Sequence, residues 1–209
     1  MEHESRPELD DMTSDLHVPV RERLADAAQA MIESGGWSTV TMSGVAAAVG
    51  VSRQTAYNEF GTKHGLAQHL ALRELQRFLT LVRTRMQAEQ NIRDGIRRAC
   101  EGVLTMGERS LLVRTIRGSA ATDRDLDFLM ILTTESGGII ETAVAVIEEA
   151  VAELYPPTGF EPDEFTVVVE AVVRLVLSAL TRPSKTPAEA AADIGWLVGL
   201  MLDGAAGRG

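Results

Sequence analysis

The chemistry most legible in this chain sits in residues 52–60, SRQTAYNEF. Arg53 can pair with the two acceptors of a guanine edge. Gln54 and Asn58 match the donor and acceptor of adenine, and Thr55 suits a thymine methyl or a phosphate. Tyr57 offers a hydroxyl to a phosphate oxygen, and Lys63, just beyond, offers a point charge. These residue types read double-stranded DNA when one short helix presents them together, so the elements that hold that helix decide the reading.

Those elements are legible on either side. Thr41 can cap a first helix and Ser52 a second, each giving a side-chain oxygen to a free backbone N–H. Gly50 sits between them, where the chain must adopt a conformation that a Cβ disfavours. Ala46, one turn earlier, is small enough for the second helix to cross the first closely. Val45, Val49, Val51, Ala56 and Phe60 supply apolar contacts at the crossing. Two short helices joined by a glycine turn, with a third helix opening at Thr62, form the pattern of a DNA-binding helix-turn-helix. The candidate DNA contacts are Thr41, Ser43, Ser52, Arg53, Gln54, Thr55, Tyr57, Asn58 and Lys63. Helix N-termini at Thr41, Ser52 and Thr62 add partial positive charge for phosphates.

The stretch resembles the operator-binding domain of the TetR family of transcriptional repressors. The matching residues are Thr41, the pair Val45-Ala46, the turn Gly50-Val51-Ser52, the group Thr55-Ala56-Tyr57, Phe60, and Lys63-His64-Gly65-Leu66. Three departures stand out. Ala56 replaces a larger aliphatic. Glu59 puts an acid near the DNA face. Gly65 is expected to weaken the start of the next helix, because glycine lowers helix propensity.

Charge has to be reconciled with this reading, since the chain of 209 residues carries a net charge of −10. Before His17, six acids face one base, so half of the net charge lies in a polar tail over residues 1–17. From Val18 to Gly65 the bases Arg21, Arg23, Arg53 and Lys63 balance Glu22, Asp26, Glu33 and Glu59. A neutral DNA-facing region implies modest nonspecific affinity and a shallow salt dependence. The acidic total also admits a second reading, a helical protein-interaction module that binds no DNA.

Nearly half of the residues are apolar, which indicates a globular chain. The opening MEHESRPELDD has no secretory character, and no uncharged apolar run is long enough to span a bilayer. Cys100 is the only cysteine, which excludes an internal disulfide and fits a reducing cytoplasm. Catalysis has no support. His3, His17, His64 and His69 lie in the tail or the DNA-binding part, and His64 and His69 are five apart rather than four. No metal-ligand spacing, nucleophile elbow, phosphate loop or dinucleotide fingerprint occurs, so no metal and no cofactor is expected.

The rest of the chain reads as helix, so the fold class is all-α. Residues 1–17 form a tail, 18–65 a three-helix DNA-binding domain and 66–209 a larger helical effector-binding and dimerisation domain. Helix 1 spans about Pro19 to Ser34, with Trp37 behind it as core. Helix 4 runs from Thr62 towards Met86 and links the two parts, with Arg73, Arg77, Arg83 and Arg85 facing solvent. Further helices span about 92–105, 111–118 and 126–155, with a capped turn over 122–127. Glu161 to Thr181 is apolar on most sides, with a stripe of Thr166, Glu170, Arg174 and Ser178. Thr186-Pro187 opens a last helix to about Asp203, one face of which stays small at Ala191, Ala192, Gly195 and Gly199.

A helix apolar on most sides must be covered on most sides. The last two helices are therefore expected to meet their copies as a four-helix bundle, through Val169, Val173, Leu177, Ala192, Gly195, Trp196 and Gly199. The family resemblance implies the same interface. It also implies a ligand cavity among the middle helices, with Phe78, Val82, Cys100, Leu104, Phe128, Met130 and Ile131 as lining. The aliphatic, Met-bearing character of those helices suits a lipophilic effector. The YNEFGTK variant resembles an actinobacterial branch found near alkane or lipid oxidation genes, which implies an acyl or alkyl ligand. The expected partners are operator DNA, a second copy of the chain and that effector.

Overall fold

The computed structural model describes residues 18–119, Ile131 and 137–207. The acidic tail, the turn at 122–127, and the candidate lining residues Phe128 and Met130 lie outside the described residues. Among those described, every regular element is helical. We label the α-helices α1 (Val20–Gly35), α2 (Met42–Val49), α3 (Arg53–Phe60), α4 (Lys63–Gln87), α5 (Ile92–Arg109), α6 (Leu111–Ser119), α7 (Gly137–Leu154), α8 (Pro162–Thr181) and α9 (Pro187–Ala206).

Capping chemistry sets most of these starts. Thr41 Oγ1 accepts from Gly44 N, Ser52 Oγ from Thr55 N and Thr62 Oγ1 from Gly65 N, at 2.9–3.0 Å. Asn91 does the same for α5. Glu161-Pro162 and Thr186-Pro187 open α8 and α9 with capping boxes. Between α2 and α3, Gly50 is left-handed at φ 77° and ψ 29°. Its N–H and that of Val51 close back on Ala47 O and Ala46 O, so the last carbonyls of α2 are satisfied inside the turn.

The first core gathers Leu24, Ala28, Ile32, Val45, Ala56, Phe60 and Leu66 around Trp37, which is 1% exposed. Ala56 is fully buried there, consistent with a slim core under α3. Ile116, Ile131 and Ile139 join this cluster, so the apolar packing continues from the N-terminal helices to α6 and α7. Beyond Leu70 the apolar clusters follow α4 into a layered bundle in which α5 packs against both α4 and α9. Helix α4 is continuous from Lys63 to Gln87 and belongs to both halves.

Two expectations about α4 are corrected. Arg73 is not solvent-facing: its guanidinium bonds Asp26 Oδ1 at 2.6 Å and Gln29 Oε1 at 2.7 Å and lies 3.4 Å from Glu22 Oε2, pinning α4 to α1. Gly65 is not a weak point either. A Cβ there would stand 2.1 Å from the carbonyl oxygen of Phe60, so only glycine lets the first turn of α4 pass that backbone.

Candidate nucleic-acid interface and internal cavity

Helix α3 buries Ala56 and Phe60 and leaves Arg53, Gln54 and Asn58 exposed. Its outer side chains are ordered by one another. Arg53 Nη2 donates to Tyr57 Oη at 3.1 Å with the guanidinium 5.1 Å over the Tyr57 ring, and Gln54 Nε2 donates to Asn58 Oδ1 at 2.9 Å. Such pairs sit four apart, on one face of the helix. Tyr57 is half-buried: its ring rests on the core, and its hydroxyl is the part offered outward. Thr41 and Ser52 serve as caps, Ser43 is exposed in the first turn of α2, and the Thr55 hydroxyl shares a 2.8 Å hydrogen bond with Ser52.

Two arginines that the sequence reading passed over hold this unit in place. Arg21 Nη1 donates to Glu59 O at 2.8 Å while its guanidinium lies 5.0 Å over Phe60, and Arg23 Nη2 donates to Val49 O at 3.0 Å. Each arginine thus satisfies a carbonyl at the C-terminus of α3 or α2, where the helix dipole also favours a cation. The Glu59 carboxylate lies 3.9 Å from Arg21, so this acid turns toward α1. Lys63 is engaged inward as well, donating to Trp37 O at 2.9 Å with its ammonium 4.5 Å over the indole. Any phosphate contact by Lys63 has to exchange with that clamp.

His69 belongs to the same α1–α4 seam. Its Nε2 donates to Glu22 Oε1 at 3.1 Å and its Nδ1 accepts from Arg21 Nε at 3.4 Å, which requires the neutral ring. Burial lowers its pKa from 6.5; Glu22 opposes this, and Arg21 and Arg73 add to it. A His pKa lower folded than unfolded means that the unfolded chain takes up the proton first. The neutral ring's contribution is therefore complete above pH 6.5 and is lost as pH falls below that value. We expect urea-unfolding stability to decline from pH 6.5 towards 5, and His69→Gln to flatten the decline. Parallel pH profiles for the two proteins would refute this.

A second feature lies inside the bundle. Residues of α4, α5, α7, α8 and α9 line a cavity of about 120 Å³. Helix α4 contributes Leu75, Phe78, Leu79, Val82 and Met86, so the helix that begins just after α3 also forms a cavity wall. Of the expected lining, Phe78, Val82 and Cys100 are there, whereas Leu104 is buried in the packing of α5 against α9 and lines a surface groove instead. Ile131 lines a smaller neighbouring space, also bordered by Phe78. The sequence reading missed Ile96, Ile147, Phe160, Phe165 and much of α8, which carry no signal beyond apolar spacing. The thiol of Cys100 is pushed up to about 12 by burial, so it stays protonated and behaves as an apolar group.

A profile of bacterial regulatory proteins of the tetR family matches residues 24–70, and one of the bacterial tetracyclin repressor C-terminal domain matches residues 91–199. The chain belongs to the TetR family. As such it is a transcriptional regulator and not an enzyme. It is 32% identical over 183 residues to the HTH-type transcriptional regulator AlkX of Mycobacterium tuberculosis, covering 86% of this chain and 83% of that one. The crystal structure of the TetR family repressor AlkX from Dietzia sp. strain DQ12-45-1b, implicated in biodegradation of n-alkanes, superposes with a TM-score of 0.73 at 29% identity, covering 89% of this chain and 96% of that one. A transcriptional regulator from Rhodococcus sp. RHA1 shares the fold at 16% identity and a TM-score of 0.56, over 89% and 97% of the two chains.

Within this TetR-family chain the expected dimer residues divide. Val169 and Val173 are buried in the chain's own core against Leu79, Ile140 and Val144, and Leu177 lines the cavity. Gly195 packs on the Arg97 side chain and Gly199 on Arg93, both of α5, so the small stripe of α9 serves an intramolecular contact. Ala192 and Trp196 are exposed, Trp196 by 65%. The exposed apolar groups that the sequence reading did not choose are Val167 and Leu175 on α8 and Leu197 and Leu200 on α9. Leu175 and Leu197 line one groove, so the two helices share this face.

Proposed function

We propose that the chain is a repressor that binds a palindromic operator as a homodimer and is released by a small lipophilic effector. The observation that carries the DNA part is α3 itself: a capped helix, seated on Ala56 and Phe60 and tied at its end by Arg21, with Arg53, Gln54 and Asn58 exposed along it. The unit spanning 18–65 reads DNA, and the remainder carries the effector cavity and the dimer contact. Pairing uses Trp196, Leu197 and Leu200 of α9 with Val167 and Leu175 of α8, and Ala192 at its edge. Two copies of α3 about 34 Å apart then enter successive major grooves.

The cavity supports the effector part, because α4 lines it and starts at the DNA face. A ligand that shifts α4 changes the separation of the two recognition helices. The Dietzia relative, implicated in biodegradation of n-alkanes, points the same way. Because acids and bases balance in the DNA-facing unit, local helix N-termini and a few cations carry phosphate binding.

A mobility-shift titration on the DNA upstream of the chain's own gene tests this. Wild type should retard that DNA. Arg53→Ala should weaken binding roughly 30-fold or more, since each lost guanine pairing costs about 1–3 kcal/mol and a dimer loses two. Wild type that leaves the DNA unshifted, or a variant that binds equally well, defeats the reading.

A further inference from the structure

We propose that this cavity takes a hydrocarbon chain with no polar head group, a narrower claim that rests on the cavity being the effector site. The space of about 120 Å³ compares with the roughly 150 Å³ of an apolar cavity that takes benzene, so it seats a short segment of such a chain.

The absence of a head group follows from the wall. Among the described residues every lining side chain is aliphatic, aromatic or sulfur-bearing, from Phe78 and Val82 through Ile96 and Cys100 to Val169 and Val173. The hydroxyl of Tyr155, which packs with the lining residues Met86, Ala99 and Val151, already donates to Met86 O at 2.6 Å. Cys100 stays a neutral thiol.

Two arginines of the bundle are committed elsewhere. Arg93, which packs on Gly199 of α9, is ion-paired with Asp203, and Arg83 with Glu153. Phe160 and Phe165, stacked 6.3 Å apart in the wall, are flanked in sequence by Glu161, Asp163 and Glu164. A carboxylate entering here would lose its water and gain no donor from the lining. Burying an unpaired charge is far costlier than burying a methyl group.

The test is thermal unfolding and native mass spectrometry of the full chain with three ten-carbon ligands: n-decane, 1-decanol and decanoate. Buffer is equilibrated with liquid decane, and dissociation constants are compared at known free concentrations. Decane should raise the melting temperature and bind at least about 100-fold more tightly than decanoate, with decanol between them. Val173→Phe, which fills the space, should remove the decane shift; the wild-type ranking decides the matter even if that variant folds poorly.

Decanoate binding as tightly as decane overturns the proposal, most directly if Arg93→Ala weakens it, while leaving an effector-released regulator intact. Failure of all three ligands to bind also overturns it. Decane that binds without releasing operator DNA upholds the cavity chemistry and refutes release instead, so the two readings fail separately.

Discussion

Trp196→Glu combined with Leu200→Glu should convert the protein into a folded monomer that has lost operator binding. Both side chains are more than half exposed in the single chain, at 65% and 52%, so charging them removes little from the subunit's own core. In the proposed bundle they sit against their symmetry mates, where four carboxylates would lose water and repel one another. Light scattering at micromolar concentration should give about half the wild-type mass, with unchanged helical circular dichroism. A monomer contacts one half-site, and specific affinity is built from both. We therefore expect operator affinity to fall at least about 100-fold, since the second recognition helix supplies several contacts of about 1–3 kcal/mol each. An unchanged mass with intact DNA binding would place the dimer contact elsewhere.

Gly65→Ala should destabilise the protein even though alanine is the better helix former. By propensity alone the substitution gains up to about 1 kcal/mol. The added Cβ, however, would meet Phe60 O at 2.1 Å, and that carbonyl already accepts from Thr62 N at 2.7 Å, so the backbone itself must move. Overpacking of this kind costs about 1–3 kcal/mol and more where backbone is displaced. We expect a net loss of about 2–3 kcal/mol, or roughly 4–12 °C in melting temperature for a chain of this size. The displaced segment joins the end of α3 to the start of α4, so operator affinity should fall as well. A melting temperature at or above that of wild type would show that the turn yields without strain.

Features governed by near neighbours were readable from the residues alone. Thr41, Ser52, Thr62 and Thr186 each cap a helix by bonding an amide three residues on, and Gly50 turns the chain where its φ of 77° suits glycine. Each signal lies within one helical turn of its effect, so the order of residues is nearly the whole cause. The α3 surface was legible for the same reason, because spacing along a short amphipathic helix sorts Ala56 and Phe60 from Arg53 and Gln54. The expected helices at 111–118 and 161–181 likewise correspond to α6 and α8 within a residue at each end.

Contacts between residues distant in the chain were decided by the tertiary structure. Arg73 reaches α1 from 47 residues away, and Arg21 reaches the carbonyl of Glu59 across 38. No pattern distinguishes these arginines from solvated ones. The same limit applies to α8 and α9. A helix apolar on nearly every side has no preferred face in its periodicity, so the neighbours that arrive first claim one. Helix α7 claims Val169 and Val173, and α5 claims Gly195 through the stem of Arg97 and Gly199 through the guanidinium end of Arg93. What remains exposed, Val167, Leu175, Trp196, Leu197 and Leu200, is a remainder of packing. Local order determined the exposed face of α3, whereas competition among helices for a shared core determined which apolar surface of α8 and α9 stayed exposed and which walls lined the cavity.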